Sequence, residues 1–213
     1  MLETSILHIK NSKRYNCSDS WKHRVSGNVV ELSVDPGEIS DRSRYRCSVI
    51  TIGQVIKALS ERIEADDSQY HIQSFPSLEN PEIIASIRKG SNGFSPKNPY
   101  FFKTDHKKKI QPVELLGILA TKYQFKLGPI SVDTMPVDFG LTHQKNLYSL
   151  SSVFDNPFIW LNLGYMKEIF IRTRFSGKVN SAVIFNDLCC MNDTDKPDFS
   201  LPENLRVQAI AGF

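Results

Sequence analysis

The chain has 213 residues, of which 40% are hydrophobic and 23% charged, and its formal net charge at pH 7 is +3. This length can bury one sizeable core, and the composition is that of a globular protein and not of a disordered or fibrous one. The small net charge argues against a nucleic-acid partner, which would favour a strongly basic domain. No stretch approaches the roughly 20 apolar residues of a membrane span, so we expect no membrane partner.

The first half of the chain alternates between strand-like and helix-like patterns. A β-branched run bracketed by turn residues predicts a strand over 28–35. Apolar residues three and four apart predict a helix from about 45 to 63, the most regular of the chain. A second strand is predicted over 70–75. An Asn-Pro pair, which suits a helix start, then predicts a short helix over 80–87.

The second half follows a loop-like segment, 91–99, that is the best place for an internal seam. Its predicted elements are a helix over 112–123, a strand over 130–132, a loop or lid over 133–156, a largely apolar helix over 157–175, and strands over 181–185 and 206–211. No internal repeat is visible. We therefore predict a single domain, 1–213, of mixed layered α/β or α+β type.

The cysteines and histidines give no metal or catalytic signature. The cysteines stand at 17, 47, 189 and 190, without ligand spacing or nearby histidines, so we expect no metal site. The five histidines are scattered, and a surface or structural role is expected for each. No secretory signal is visible at the N-terminus, and we expect a cytoplasmic protein with free thiols.

Known nucleotide-binding and nucleophile motifs are also lacking. The sequence has no glycine-rich dinucleotide turn after a strand, no phosphate-binding Gly-Lys-Ser/Thr loop and no Gly-x-Ser-x-Gly elbow. Arg42 and Arg44 stand just before the first long helix, where free backbone N–H groups and the helix dipole favour an anion. They either bind a cofactor phosphate or form ordinary surface ion pairs.

Four segments of the chain form a recognisable pattern. They are WKHRVSGNVVELSVD at residues 21–35, NPEIIASI at 80–87, LGYM at 163–166 leading into a helix, and VQAIAG at 207–212. Together they resemble the nitroreductase-like FMN flavoproteins, especially their Acg-type branch. The similarity is one of pattern along most of the chain, with few identities. It implies an α+β fold in which a mixed sheet packs with helices around a central helix.

The resemblance also implies a flavin site. Lys103 and Lys107 fall where the family carries a basic segment associated with the flavin phosphate, and Arg42 and Arg44 would join them. Asn16, Ser18 and Trp21 fall in the segment that meets the flavin ring in that family. Of the family's motif there, this chain keeps the tryptophan and a serine, while its asparagine is displaced by one position.

The function implied is an FMN-dependent oxidoreductase, a dehydrogenase or nitroreductase acting on a small-molecule or modified-peptide substrate. The family binds flavin at a subunit interface, which implies a homodimer or a complex with a related subunit. Because the ring motif is altered, a catalytically degenerate, flavin-sequestering or scaffold subunit is the alternative. A third hypothesis is an α/β binding module unrelated to flavoproteins.

Overall fold

The computed structural model describes residues 2–12, 15, 21–65, 68–90, 110–131, 146–175, 184–186, 188, 202 and 204–213. These residues contain four α-helices and eight strands. The chain divides into two compact units, Met1–Phe101 and Phe102–Phe213. The seam expected at 91–99 lies outside the described residues.

The first unit is a four-stranded antiparallel sheet with two helices. Its elements are α1 (Leu2–Lys10), β1 (Trp21–Ser26), β2 (Val29–Val34), α2 (Arg42–Ala65), β3 (Tyr70–Ser74) and β4 (Ile83–Lys89). The strands lie in the order β1-β2-β4-β3, and every neighbouring pair is antiparallel. Helix α2 packs against β1, β2 and β4 and against α1, so one face of the sheet forms the core.

Local sequence explains how the first sheet begins. Strands β1 and β2 are joined by the two-residue turn Gly27–Asn28, where Gly27 has a φ of +59°, a conformation that favours glycine. In β2 the alternating side chains Val30, Leu32 and Val34 are fully buried, while the residues between them are half-buried. The predicted strand over 28–35 is therefore confirmed, and its period of two gives the sheet a core face and an open face.

The second unit repeats this plan with different side chains. Its elements are α3 (Pro112–Lys122), β5 (Lys126–Ile130), β6 (Leu147–Ser152), α4 (Pro157–Phe175), β7 (Ile184–Asn186) and β8 (Arg206–Gly212). The strand order is β5-β6-β8-β7, again with antiparallel neighbours. Each unit thus runs helix, two strands, helix, two strands, and its fourth strand lies between the second and the third.

Helix α4 is the main apolar element of the second unit. Asn156 caps it, because its side-chain oxygen accepts from the Ile159 N–H at 3.1 Å. The Trp160 indole donates to Asp155 Oδ1 at 2.6 Å. Many of the helix side chains are buried, including Leu161, Leu163, Tyr165, Met166, Ile169 and Phe170. The predicted helix over 157–175 is confirmed.

Of the other elements predicted from the sequence, some are confirmed, one is shifted along the chain, and two observed elements were not predicted. The helices over 45–63 and 112–123 and the strands over 70–75 and 206–211 are confirmed, with bounds that differ by a few residues at most. The strand over 181–185 is shown as Ile184–Asn186, since 181–183 lie outside the described part. The strand expected over 130–132 lies earlier, at Lys126–Ile130. Helix α1 and strand β1 were not predicted at all.

Two predictions were wrong. The short helix expected over 80–87 is strand β4, because its β-branched residues pair with β2 and β3 on both sides. The Asn-Pro pair makes a turn instead of a cap, with the Ile83 N–H donating to Asn80 O at 3.0 Å. The loop expected over 133–156 contains strand β6. This strand was not predicted because half of its residues are serines. The α+β class is confirmed.

Candidate functional site

Of the seven predicted flavin-site residues, three lie in the described part of the chain. Asn16, Ser18, Lys103 and Lys107 lie outside the described residues. Arg42 and Arg44 lie in the first turn of α2, which begins at Arg42, and not just before the helix as predicted. Trp21 begins β1 and is only 2% exposed.

The beginning of α2 already holds a carboxylate. Asp41 Oδ1 accepts from the backbone N–H groups of Ser43 and Arg44, each at 3.1 Å. Its Oδ2 lies 3.3 Å from Arg44 Nε, and that guanidinium side chain is 75% exposed. Any phosphate approaching these amides would meet the negative charge of Asp41. The ion-pair alternative for Arg44 is therefore the one seen here.

Trp21 serves the core of the first unit. Its indole N–H donates to the Tyr15 carbonyl at 3.2 Å, and Lys10 Nζ lies 5.4 Å from its ring centre. The His23 ring lies 6.1 Å away on the same side of β1. The indole thus binds the Tyr15 carbonyl and contacts a neighbouring cation.

A groove of about 440 Å³ lies on the open face of the first sheet. We call it the sheet groove. Its lining is polar, and the residues are Asn28, His71, Gln73, Ser86, Arg88, Lys89 and Gly90. Arg88 and His71 give the open face a permanent cation and an imidazole, and none of the described lining residues is a carboxylate. Such a lining suits an anionic ligand.

Strand register builds the sheet groove. His71 on β3 lies directly opposite Arg88 on β4, and Gln73 lies opposite Ser86. Side chains of directly opposite residues project from the same face of an antiparallel sheet, so these four share the open face. Arg88, His71 and Gln73 are exposed, whereas Ile87 between them is fully buried in the core.

Backbone hydrogen bonds fix one end of the sheet groove. Two hydrogen bonds join Asn28 and Lys89. The side-chain amide of Asn28 donates to Lys89 O at 2.8 Å, and the backbone N–H of Lys89 donates to Asn28 O at 2.8 Å. The Gly90 N–H donates to Gln69 O at 2.9 Å. The turn between β1 and β2 is thereby tied to the end of β4. The groove is a preformed feature of the sheet.

Further charges lie along the same face. Arg24 on β1 is exposed and lies opposite Glu31 on β2, which in turn lies opposite Ser86. At the far end Lys22 Nζ lies 2.7 Å from Asp35 Oδ2. This hydrogen bond, with that of the Gly37 amide, holds the pKa of the Asp35 carboxyl below its usual range.

The groove residues were missed because β4 was predicted to be a helix. Read as a strand, 83–89 shows polar Ser86 and Arg88 flanking the buried Ile87. The same alternation of polar and apolar residues in β3 exposes His71 and Gln73. His71 was expected to have a surface or structural role, and it lies on the surface.

No protein-family model matches the chain, and no curated protein is significantly similar to it. Among the described residues, no three His, Cys, Asp or Glu side chains gather as metal ligands. No helix in that part of the chain is long and apolar enough to cross a bilayer.

Proposed function

We propose that the first unit binds double-stranded nucleic acid through the open face of its sheet. The observation that carries this proposal is the sheet groove, in which Arg88 and His71 lie directly opposite one another on the open face and are both exposed. Phosphate contacts from such cations supply most of the affinity of sequence-independent nucleic-acid binding. This function develops the third hypothesis from the sequence, that of an α/β binding module.

The polar side chains of the sheet groove provide two kinds of contact. Arg88 can bind a phosphate or form two parallel hydrogen bonds to a guanine edge. Gln73 and Ser86, which lie opposite one another, offer both donors and acceptors to base edges. Strand β3 is an edge strand of the four-stranded sheet and β4 is its neighbour, so these side chains lie near one edge of the sheet.

The composition of the open face favours a duplex over a single strand or a flat aromatic ligand. Proteins that bind single strands stack bases on aromatic side chains. The described open-face positions of β1 to β4 include no Phe, Tyr or Trp; the one ring among them is His71. Small-molecule pockets are mostly apolar, whereas every side chain lining the sheet groove is polar, Gly90 aside.

The proposal is the opposite of the expectation of no nucleic-acid partner, and the binding experiment below decides between them. That expectation rested on the net charge of +3, which averages over the whole chain. What matters for binding is where the charges lie. Strand register brings Arg88 and His71 side by side, although they are separated in sequence by a turn and most of a strand.

Fluorescence anisotropy with a labelled 20-base-pair DNA duplex tests the proposal. We expect binding that weakens steeply between 50 and 200 mM salt, with a logarithmic slope of about −0.9 for each phosphate neutralised. Arg88→Gln should weaken binding and reduce the slope by about one. Arg44→Gln is the matched control, because Arg44 is exposed on α2 away from the open face. Binding that is absent, or equally weakened by both variants, would refute the proposal.

An FMN-dependent oxidoreductase, or a degenerate flavin-sequestering subunit, is the alternative that the family resemblance implies. Its test is a visible absorption spectrum of the protein after incubation with FMN and desalting. Bound flavin that is lost in Arg42→Glu or Arg44→Glu would support the alternative. A colourless protein would remove it for the isolated chain and leave the nucleic-acid proposal unaffected.

A further inference from the structure

We infer that Glu31 is a specificity-determining residue of the open face, whose carboxylate accepts a hydrogen bond from the amino group of a cytosine and so makes duplex binding selective for DNA sequence. This inference rests on the proposed function and deepens it, because phosphate contacts by themselves carry no sequence information. The residues that support it form one row across the first sheet.

Strand register places four polar side chains in this row. It runs from β1 to β3 in the order Arg24, Glu31, Ser86 and Gln73, each directly opposite the next. Directly opposite residues project from the same face of an antiparallel sheet. That face is the open one, because both sequence neighbours of Glu31 are fully buried in the core. We call these four residues the polar row.

The polar row has the side-chain types that distinguish base pairs in the major groove of DNA. There, arginine pairs with guanine, glutamine pairs with adenine, and glutamate accepts from the amino group of cytosine. Neighbouring strands lie about 4.8 Å apart, so the row spans about 14 Å, or roughly four base pairs along a duplex. The major groove of an RNA duplex is too deep and narrow for such contacts, so the partner is B-form DNA.

Glu31 is the one acidic member of the polar row, and its charge makes it selective. A carboxylate repels phosphates and the acceptor edges of guanine and thymine. Adenine has an amino group too, but its N7 acceptor lies beside that group and repels a carboxylate. Within the described part of the chain, no ion pair joins Glu31 to Arg24, although the two lie opposite one another. The carboxylate therefore favours cytosine and penalises the other three bases.

The test is selection of binding sites from a library of DNA duplexes with a randomised central segment, using the full chain. Anisotropy then measures the selected duplex and its single-base variants at constant salt. The wild type should prefer cytosine at one position by about tenfold over the other bases. Glu31→Gln should change the preferred base there to adenine, because an amide pairs with adenine. Glu31→Ala should bind all four bases within about twofold.

Glu114→Gln is the matched control, because it makes the same chemical change on α3 of the second unit and should keep the preference for cytosine. If Glu31 only balanced the charge of Arg24, its variants would tighten binding to every duplex equally and leave the preferred base unchanged. That result overturns the inference.

The selection with the wild type is decisive even if circular dichroism shows that the Glu31 variants do not fold. A wild type that binds duplexes without a preferred cytosine overturns the inference and leaves the proposed function in place. A wild type that binds no duplex overturns both.

Discussion

The two units share one topology and differ in what their sheets expose. In the first unit, β2 and β4 have a buried face and an open polar face that carries Arg88. In the second, all residues of β6 except Tyr148 and all residues of β8 except Arg206 are buried or nearly so. The order of strands therefore does not make a binding surface. The residues at alternate positions do, because they decide whether a face is left open.

The long second helices differ in an analogous way. Helix α2 buries a cation, Lys57, whose ammonium lies 3.0 Å from Glu61. Helix α4 buries an anion, Glu168, whose carboxylate accepts from Arg172 Nε at 2.6 Å. In both, the buried charge meets a more exposed partner one helical turn later. The same element thus tolerates a buried charge of either sign when a partner is built in.

The comparison predicts that the second strand of each sheet is equally important for stability. Leu32 in β2 and Leu150 in β6 are both fully buried. Leu32→Ala and Leu150→Ala should each lower the free energy of unfolding by about 3 kcal/mol, from lost burial and the cavity left behind. Urea denaturation followed by circular dichroism measures this. Ser33→Ala, on the open face of β2, is the control and should change it by less than about 0.5 kcal/mol.

A cost below about 1 kcal/mol for Leu150→Ala, with the full cost for Leu32→Ala, would break the comparison. It would mean that the second unit does not depend on its central strand as the first does.

The buried charges should give a smaller effect. Glu61→Gln leaves the buried Lys57 without its carboxylate, and Arg172→Gln leaves the buried Glu168 without its guanidinium. We expect each change to lower the free energy of unfolding by about 2 kcal/mol, below the range for fully buried pairs because each partner is partly exposed. Lys57→Met combined with Glu61→Gln should recover most of the loss. Single variants as stable as the wild type would contradict this account.

The smallest effect concerns pH and the first unit. Burial and Lys10 lower the pKa of His23 in the folded protein, so the unfolded chain takes up a proton first as the pH falls. Stability should therefore be fully present above about pH 7 and should decline towards about pH 5. His23→Gln should flatten this decline, and His8→Gln should not. The urea midpoint of unfolding, measured across this pH range, tests the prediction. An equal change of the midpoint with pH in both variants would refute it.

The sequence predicted the long helices better than the strands. Helices α2 and α4 have long apolar patterns, and most of the described side chains of their middle turns are buried. Strand β4 was misread because its isoleucines also fit a helical spacing, and only pairing with β2 and β3 decides between the two. Strand β6 was missed because Ser149 and Ser151 are buried, against the usual preference of serine for the surface.

The candidate site could not be predicted for a related reason. The sheet groove joins β3 to β4 across a turn, and its members become neighbours only through the register that pairs His71 with Arg88. Nothing in the sequence indicated that the two units share one order of helices and strands, because corresponding positions of the two units carry different side chains. Among the described residues the one cysteine is Cys47, whose side chain is buried.

The central claim is that the open face of the first sheet binds a duplex and that the second sheet does not. Arg88 and Arg206 are both exposed and occupy the fourth strand of their respective sheets. We would measure the dissociation constant of the 20-base-pair duplex for Arg88→Glu and Arg206→Glu at constant salt. The account predicts at least about tenfold weaker binding for Arg88→Glu and a change within about twofold for Arg206→Glu. Equal losses, or a larger loss for Arg206→Glu, would contradict it.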